Sequence, residues 1–244
     1  MFWTEYPRDV VQVSGADATT YLQSQVSNDL RPLQVGDSAW SFLLQPTGRV
    51  DVLLRVWRTA DDTYVLDTDA GFGVVMVARL NRFKIRVKAD IVPLEWRCVA
   101  VRGTSDTAGT ADPGVERLVA WGEGYDLLGA SPLVPVDVPQ GDAVLLLEAR
   151  VQAAWPQMGI EIVPGETIPA ETGVIDLAVS FTKGCYPGQE LVERMDSRAA
   201  TAPRSLQRLT LAEASTLQAE GHATITSVAG EMALALVKRS ALPH

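Results

Sequence analysis

The sequence predicts an α+β protein built from more than one subdomain. Three observations carry that expectation: apolar residues at helical spacing after Ser14, two alternating runs joined by a Pro-Thr-Gly turn at 46–48, and hairpins mixed with helices without any repeat period. Ala18, Tyr21, Leu22, Gln25, Val26 and Leu30 share a helical face, and Ser14 is placed to cap the free amides before it. A helix of about four turns follows from that spacing, with Asn28 and Asp29 suited to a turn at its end. Residues 41–45, the turn, and Val50, Val52, Leu54 and Val56 alternating with Arg49, Asp51 and Arg55 make a β-hairpin with one wet face.

A strand at 63–67 and a helix over 72–81 come next. Ile85, Val87, Ala89 and Ile91 then alternate with Lys84, Arg86, Lys88 and Asp90, which predicts another half-wet strand. A second αβ unit opens with a strand at 95–101, followed by a Thr/Ala/Asp/Gly-rich surface loop at 103–114. The helix over 142–154 stops before Trp155-Pro156, because a residue preceding proline is pushed out of the helical region. Prolines and glycines make 156–171 extended, a short helix covers 189–195, and weak alternation from Leu206 onward predicts short strands of a small β unit.

Composition narrows the function. With 21 Lys+Arg against 30 Asp+Glu the chain carries a net charge of −9, which opposes binding of nucleic acid or anionic membrane as a property of the whole surface. No basic segment leads into an apolar stretch at the start, and no apolar window approaches the ~18 residues of a membrane span. A cytoplasmic protein with no membrane contact and no direct nucleic-acid binding is expected. Two cysteines and two histidines are too few for a disulfide framework, a four-cysteine metal site, an H-E-x-x-H pair or a three-histidine zinc site. A serine triad would depend on His222.

Chemistry concentrates in residues 181–194, where Gly184, Pro187 and Gly188 bracket Cys185 and Tyr186 just before a helix. A thiol near a helix N-terminus and two residues from Lys183 is shifted toward the thiolate that attacks electrophiles or binds metal. A small buried hydrophobe is the alternative role for such a cysteine. Cys98, among Trp96, Val99 and Val101, reads as core. From Lys183 to Arg208 the basic residues outnumber the acidic ones, which makes either a docking patch or a solvated mixed face.

The string Lys183-Gly184-Cys185-Tyr186-Pro187-Gly188-Gln189-Glu190 resembles the K-G-C-Y-x-G-Q-E signature of the YgfZ family, folate-binding paralogues of the glycine-cleavage T-protein. Residues 11–30 resemble that family's opening block, 43–50 its Gly-Arg-Val hairpin, 168–171 and Phe181 its run into the signature, and 226–239 its closing barrel. The resemblance implies a T-protein-like disc: two ferredoxin-like αβ subdomains and a small C-terminal β-barrel around a central folate pocket. It divides the chain into residues 1–94, 95–155, 156–204 and 205–244, the third segment completing the folate-binding core.

The same resemblance implies tetrahydrofolate as ligand and a role in maintaining iron–sulfur enzymes, including those that modify tRNA, with iron–sulfur proteins or cluster carriers as partners. Carried over, Cys185 is the functional thiol, Lys183 supplies charge beside it, and Gly184, Tyr186, Gly188, Gln189, Glu190 and Arg194 hold signature positions. Arg150, Gln152 and Trp155 fall at the folate site, with Gln152 where T-protein relatives carry a pterin-binding glutamate. An amide lacks that carboxylate's charge-assisted pairing. A cluster ordinarily takes four ligands, so no permanently bound metal is expected, and Cys185 would share a cluster with a partner. The enzymatic alternative is an aminomethyltransferase; the non-enzymatic one is a partner-recruiting scaffold.

Overall fold

Antiparallel pairing organises the chain into three sheets. The structure is a computed structural model that describes residues 1–105, 117–197 and 202–242; positions 106–114 of the expected loop, and Arg198 of the expected patch, lie outside the described residues. In chain order the elements are β1 (Phe2–Glu5), β2 (Arg8–Ser14), α1 (Ala18–Gln25), β3 (Ser38–Leu44), β4 (Val50–Ala60), β5 (Thr63–Asp69), α2 (Gly73–Arg82), β6 (Asp90–Leu94) and β7 (Arg97–Arg102). They continue with β8 (Arg117–Val119), β9 (Gly124–Gly129), α3 (Ala143–Gln152), α4 (Ile175–Ala178), α5 (Gln189–Ser197), β10 (Arg204–Thr210), α6 (Leu211–Ala219), β11 (Ala223–Ala229) and β12 (Met232–Lys238).

The first sheet runs β3-β4-β5-β2-β6 and the second β1-β7-β9-β8. The chain's first strand therefore completes the second sheet, with Phe2 opposite Arg102 and Glu5 opposite Val99. On one face of the first sheet Val11, Val13, Val52, Leu54, Val56 and Leu66 meet Tyr21 and Leu22 of α1 and Met76 and Leu80 of α2. The opposite face, expected to be wet from the alternation with Arg55, is dry: Val10, Trp57 and Val65 pack on Cys98, Leu118 and Leu128 of the second sheet.

Arg55 is fully buried there because carboxylates are buried with it. Its Nε donates to Asp67 Oδ1 at 2.9 Å and its Nη1 to Asp126 Oδ2 at 2.8 Å, while Arg102 Nη1 donates to Asp126 Oδ1 at 2.8 Å. Arg8 pairs with Asp67 at 2.8 Å and also with Asp69, whose Oδ2 accepts the Met158 amide at 3.0 Å. Burial alone raises the Asp126 pKa, but Arg102 and Arg55 outweigh it and hold the carboxyl below its ordinary range. Deleting one partner of such a pair leaves a stranded charge, at a cost of about 3–5 kcal/mol.

Three local expectations shift. α1 ends at Gln25 because Val26 turns extended and bridges Leu43, and its N-cap is Asp17, whose carboxylate instead accepts the Lys88 amide at 2.7 Å. The strand placed at 85–91 starts only at Asp90, since Arg86 adopts a φ of 58°. In the C-terminal segment Thr210 and Glu213 form a capping box that starts α6, which packs on a three-stranded sheet ordered β10-β12-β11. That sheet is open among the described residues, where the resemblance implies a barrel. No helix among the described residues is long and apolar enough to cross a membrane.

Candidate functional site

The segment after α1 forms the seat of the signature loop. Ser27 Oγ donates to Ala178 O at 2.6 Å and accepts the Phe42 amide at 2.8 Å, and Ser27 O accepts the Ser180 amide at 3.1 Å. Asn28 Nδ2 donates to Trp40 O at 2.8 Å and Leu177 O at 2.9 Å. Asn28 thus ties β3 to α4 as a turn residue, and Asp29 pairs with Arg31 beside it.

Lys183 reaches into this seat. Its Nζ donates to Gln23 O at 2.7 Å, Val26 O at 2.6 Å and Asn28 O at 2.9 Å, satisfying main-chain carbonyls that the end of α1 leaves without helical partners. Burial pulls the ammonium down to about 8, opposed by the Asp29 charge. The sequence placed Lys183 as charge beside Cys185; the structure engages all three of its donors on main-chain carbonyls, so it pins the loop.

A second pin lies on the other side of the cysteine. Residues 186–189 form a type II turn: Pro187 at the second position, Gly188 at φ 86°, and the Gln189 amide donating to Tyr186 O at 3.3 Å. A Cβ on Gly188 would stand 2.5 Å from Gln45 O and 2.9 Å from Gly48 Cα, and one on Gly48 would stand 2.4 Å from Leu191 Cβ. The Pro-Thr-Gly hairpin and the Pro-Gly turn, distant in sequence, therefore pack main chain against main chain.

Between the pins Gly184 and Cys185 are exposed, and an added Cβ on Gly184 would meet nothing within 4 Å. Tyr186 is buried among Trp40, Leu44 and Val192, its hydroxyl pushed up to about 12 by burial and by Glu193. Gln189 Oε1 accepts the Tyr186 amide at 3.3 Å and its Nε2 donates to Glu193, so it braces the turn; Glu190 and Arg194 are exposed. Cys98 is buried between the two large sheets and its thiol is pushed well up, first by burial. Of the basic residues read as either a docking patch or a mixed face, Lys183 is buried, Arg204 pairs with Glu171, Arg208 bonds Gln152 O and Arg194 is exposed.

The expected folate residues separate. Arg150 is buried, donating to Trp155 O at 3.0 Å, Glu161 Oε2 at 2.9 Å and Ser227 Oγ at 2.6 Å, and so binds α3 to the following loop and to β11. Trp155 is core, 4.6 Å from the Trp40 ring centroid and 6.5 Å from that of Trp121. Gln152 is exposed on the wall of a cleft of about 560 Å3, between α3, the second sheet and the C-terminal sheet. Arg102, Trp121, Glu123, Leu145, Glu148 and Met232 also line it. The Arg102 guanidinium lies 4.1 Å from the Trp121 ring centroid, and its Nε and Nη2 are buried without hydrogen-bond partners among the described residues. Sequence reasoning did not single out Arg102, because nothing in its local pattern distinguishes it from an ordinary strand residue.

No family model matches the chain. It is 29% identical over 229 residues to mouse "Iron-sulfur cluster assembly factor IBA57, mitochondrial", covering 79% of this chain and 62% of the relative. It is 26% identical over 219 residues to "tRNA-modifying protein YgfZ" of Vibrio vulnificus, covering 82% and 67%. The chain spans between 51% and 68% of the length of the curated relatives it matches. Among solved structures, the glycine cleavage system aminomethyltransferase T of Bartonella henselae superposes with a TM-score of 0.72 at 17% identity, covering 98% of this chain and 78% of that one. The fold is that of the aminomethyltransferase, and the relatives bear out the resemblance to the YgfZ family read from residues 183–190.

Proposed function

We propose that this YgfZ-like chain is a cytoplasmic accessory protein of iron–sulfur cluster assembly or repair, serving iron–sulfur enzymes that include tRNA-modifying ones, and that it acts through Cys185. The observation that carries the reading is the exposed thiol held between two pins, Lys183 on the end of α1 and Gly188 on the 46–48 hairpin. Such a loop presents sulfur outward in one geometry, without an ordering cost on docking. The cluster is cargo. Cys185 would provide one ligand to it, and a partner protein or small thiol the others, because Cys98 is buried between the sheets.

Tetrahydrofolate would occupy the cleft whose wall includes Gln152 and Glu148. Bound there, it would supply a one-carbon carrier; the chain's residues would hold and orient it. The names of the relatives support the iron–sulfur and tRNA-modification link. The test is complementation in cells lacking the chain, scored by the activity of an iron–sulfur enzyme. Cys185→Ser is expected to fail where wild type succeeds; full recovery by Cys185→Ser would refute the role of the thiol.

A further inference from the structure

Five of the chain's 21 cationic residues fall within positions 79–88, Arg-Leu-Asn-Arg-Phe-Lys-Ile-Arg-Val-Lys, with no acidic residue among them. The run closes α2 and forms the connection to β6. Arg79 faces inward: it is buried, donates Nε and Nη2 to Leu44 O at 3.1 and 2.7 Å, and its guanidinium lies 4.2 Å from the Phe83 ring centroid. Arg82, Arg86 and Lys88 are exposed and Lys84 is half-buried, and none of the four has a side-chain hydrogen bond or an ion pair among the described residues. The Asp17 carboxylate beside them is taken by the Lys88 amide at 2.7 Å. Amid these cations Ile85 is 75% exposed, next to the φ of 58° at Arg86 that turns the chain. Four like charges within seven residues repel one another, and carboxylates brought by a partner relieve that repulsion.

We infer that the 82–88 connection docks an acidic protein partner, with Ile85 entering an apolar pocket and Arg82, Lys84, Arg86 and Lys88 pairing with carboxylates around it. An apolar centre inside a charged rim is the layout of a protein interface. A nucleic acid fits less well. It offers no pocket to Ile85, and its phosphates would run on past the patch across a chain of net charge −9, whereas an acidic protein face need meet the patch alone. The inference rests on the iron–sulfur reading above and deepens it by assigning the face that the partner of Cys185 uses. Leu44 joins the two places: its carbonyl accepts Arg79, and its Cβ would stand 3.0 Å from a Cβ on Gly188 in the signature turn. A partner docked at 82–88 is thus anchored to the end of β3, against which the turn after Cys185 also packs.

The test uses the full chain in cells lacking it. With p-benzoylphenylalanine in place of Ile85, irradiation is expected to join the chain to a protein at a peptide rich in Asp and Glu, and lysines at those acidic positions should restore function to Arg82→Glu/Arg86→Glu. Crosslinks to RNA alone, to a protein segment without acidic residues, or to nothing overturn the inference. Arg82→Glu/Arg86→Glu, at exposed and unpaired positions, should keep the wild-type circular dichroism and Cys185 reactivity while lowering iron–sulfur enzyme activity about tenfold. Lys238→Glu/Arg239→Glu, the same charge change at exposed positions where β12 ends, should complement fully. Full complementation by Arg82→Glu/Arg86→Glu where Cys185→Ser fails overturns the docking face and leaves the role of the thiol standing. Full complementation by both overturns both.

Discussion

Replacing Lys183 with methionine keeps the length of the side chain and removes its three donors. The wild-type ammonium bonds three carbonyl oxygens at 2.6 to 2.9 Å in a buried seat. At about 1 kcal/mol net for each hydrogen bond the loss is about 3 kcal/mol, and relief from burying a cation offsets part of it. About 2 kcal/mol should remain, equivalent to roughly a 30-fold shift in the equilibrium between the seated and released loop. Amide exchange reads that equilibrium directly. The Ser180 amide, bonded to Ser27 O, and the Asn28 amide, bonded to Ser41 Oγ at 2.9 Å, should exchange roughly 30-fold faster in Lys183→Met. Amides in β4 and β5, held by the first sheet, should keep their wild-type rates. Unchanged exchange at Ser180 and Asn28 would refute the pin and return Lys183 to the role of a charge beside the thiol.

Gly188→Ala places a Cβ 2.5 Å from Gln45 O at φ 86°, so it should lower stability by about 2 kcal/mol or more in urea unfolding, whereas Gly184→Ala, with open space around it, should be near neutral. Asp126→Asn should cost about 3–5 kcal/mol because Arg55 and Arg102 lose their shared carboxylate. The sign of its pH dependence follows from the lowered pKa. The pair stabilises the fold above the ordinary carboxylate range and loses that contribution as pH falls through the folded-state value, so acid unfolding of Asp126→Asn should be less steep than that of wild type. In native protein Cys185 should react with a thiol reagent at once and Cys98 only on unfolding, as one is exposed and the other buried.

The hairpin at 46–48, the α3 stop before Trp155-Pro156 and the α5 start were legible because each is written in local chemistry: a turn glycine, a proline restriction, a Pro-Gly turn before a helix. The Thr210–Glu213 capping box was equally local and was missed beneath a weak strand alternation. The ends of α1 and the start of β6 were not local. Val26 leaves the helical face that its spacing suits because Ser27 and Asn28 are claimed by β3 and the 177–180 segment, far along the chain.

The sequence by itself singled out residues 183–190 as the candidate site, since two cysteines and two histidines leave no other stretch with comparable side chains. It also determined why the glycines there matter, because only a residue without Cβ accepts φ 86° between Pro187 and Gln189 without strain. What each side chain does was decided by the tertiary structure. Burial made Lys183 a cap for α1, set Arg150 in a salt bridge and Trp155 in a tryptophan cluster, and made the charged face of β4 an interior. The physical reason is common to all four: a charge or ring of fixed identity takes its role from the groups that replace its water, and those groups come from 5 to 160 residues away along the chain.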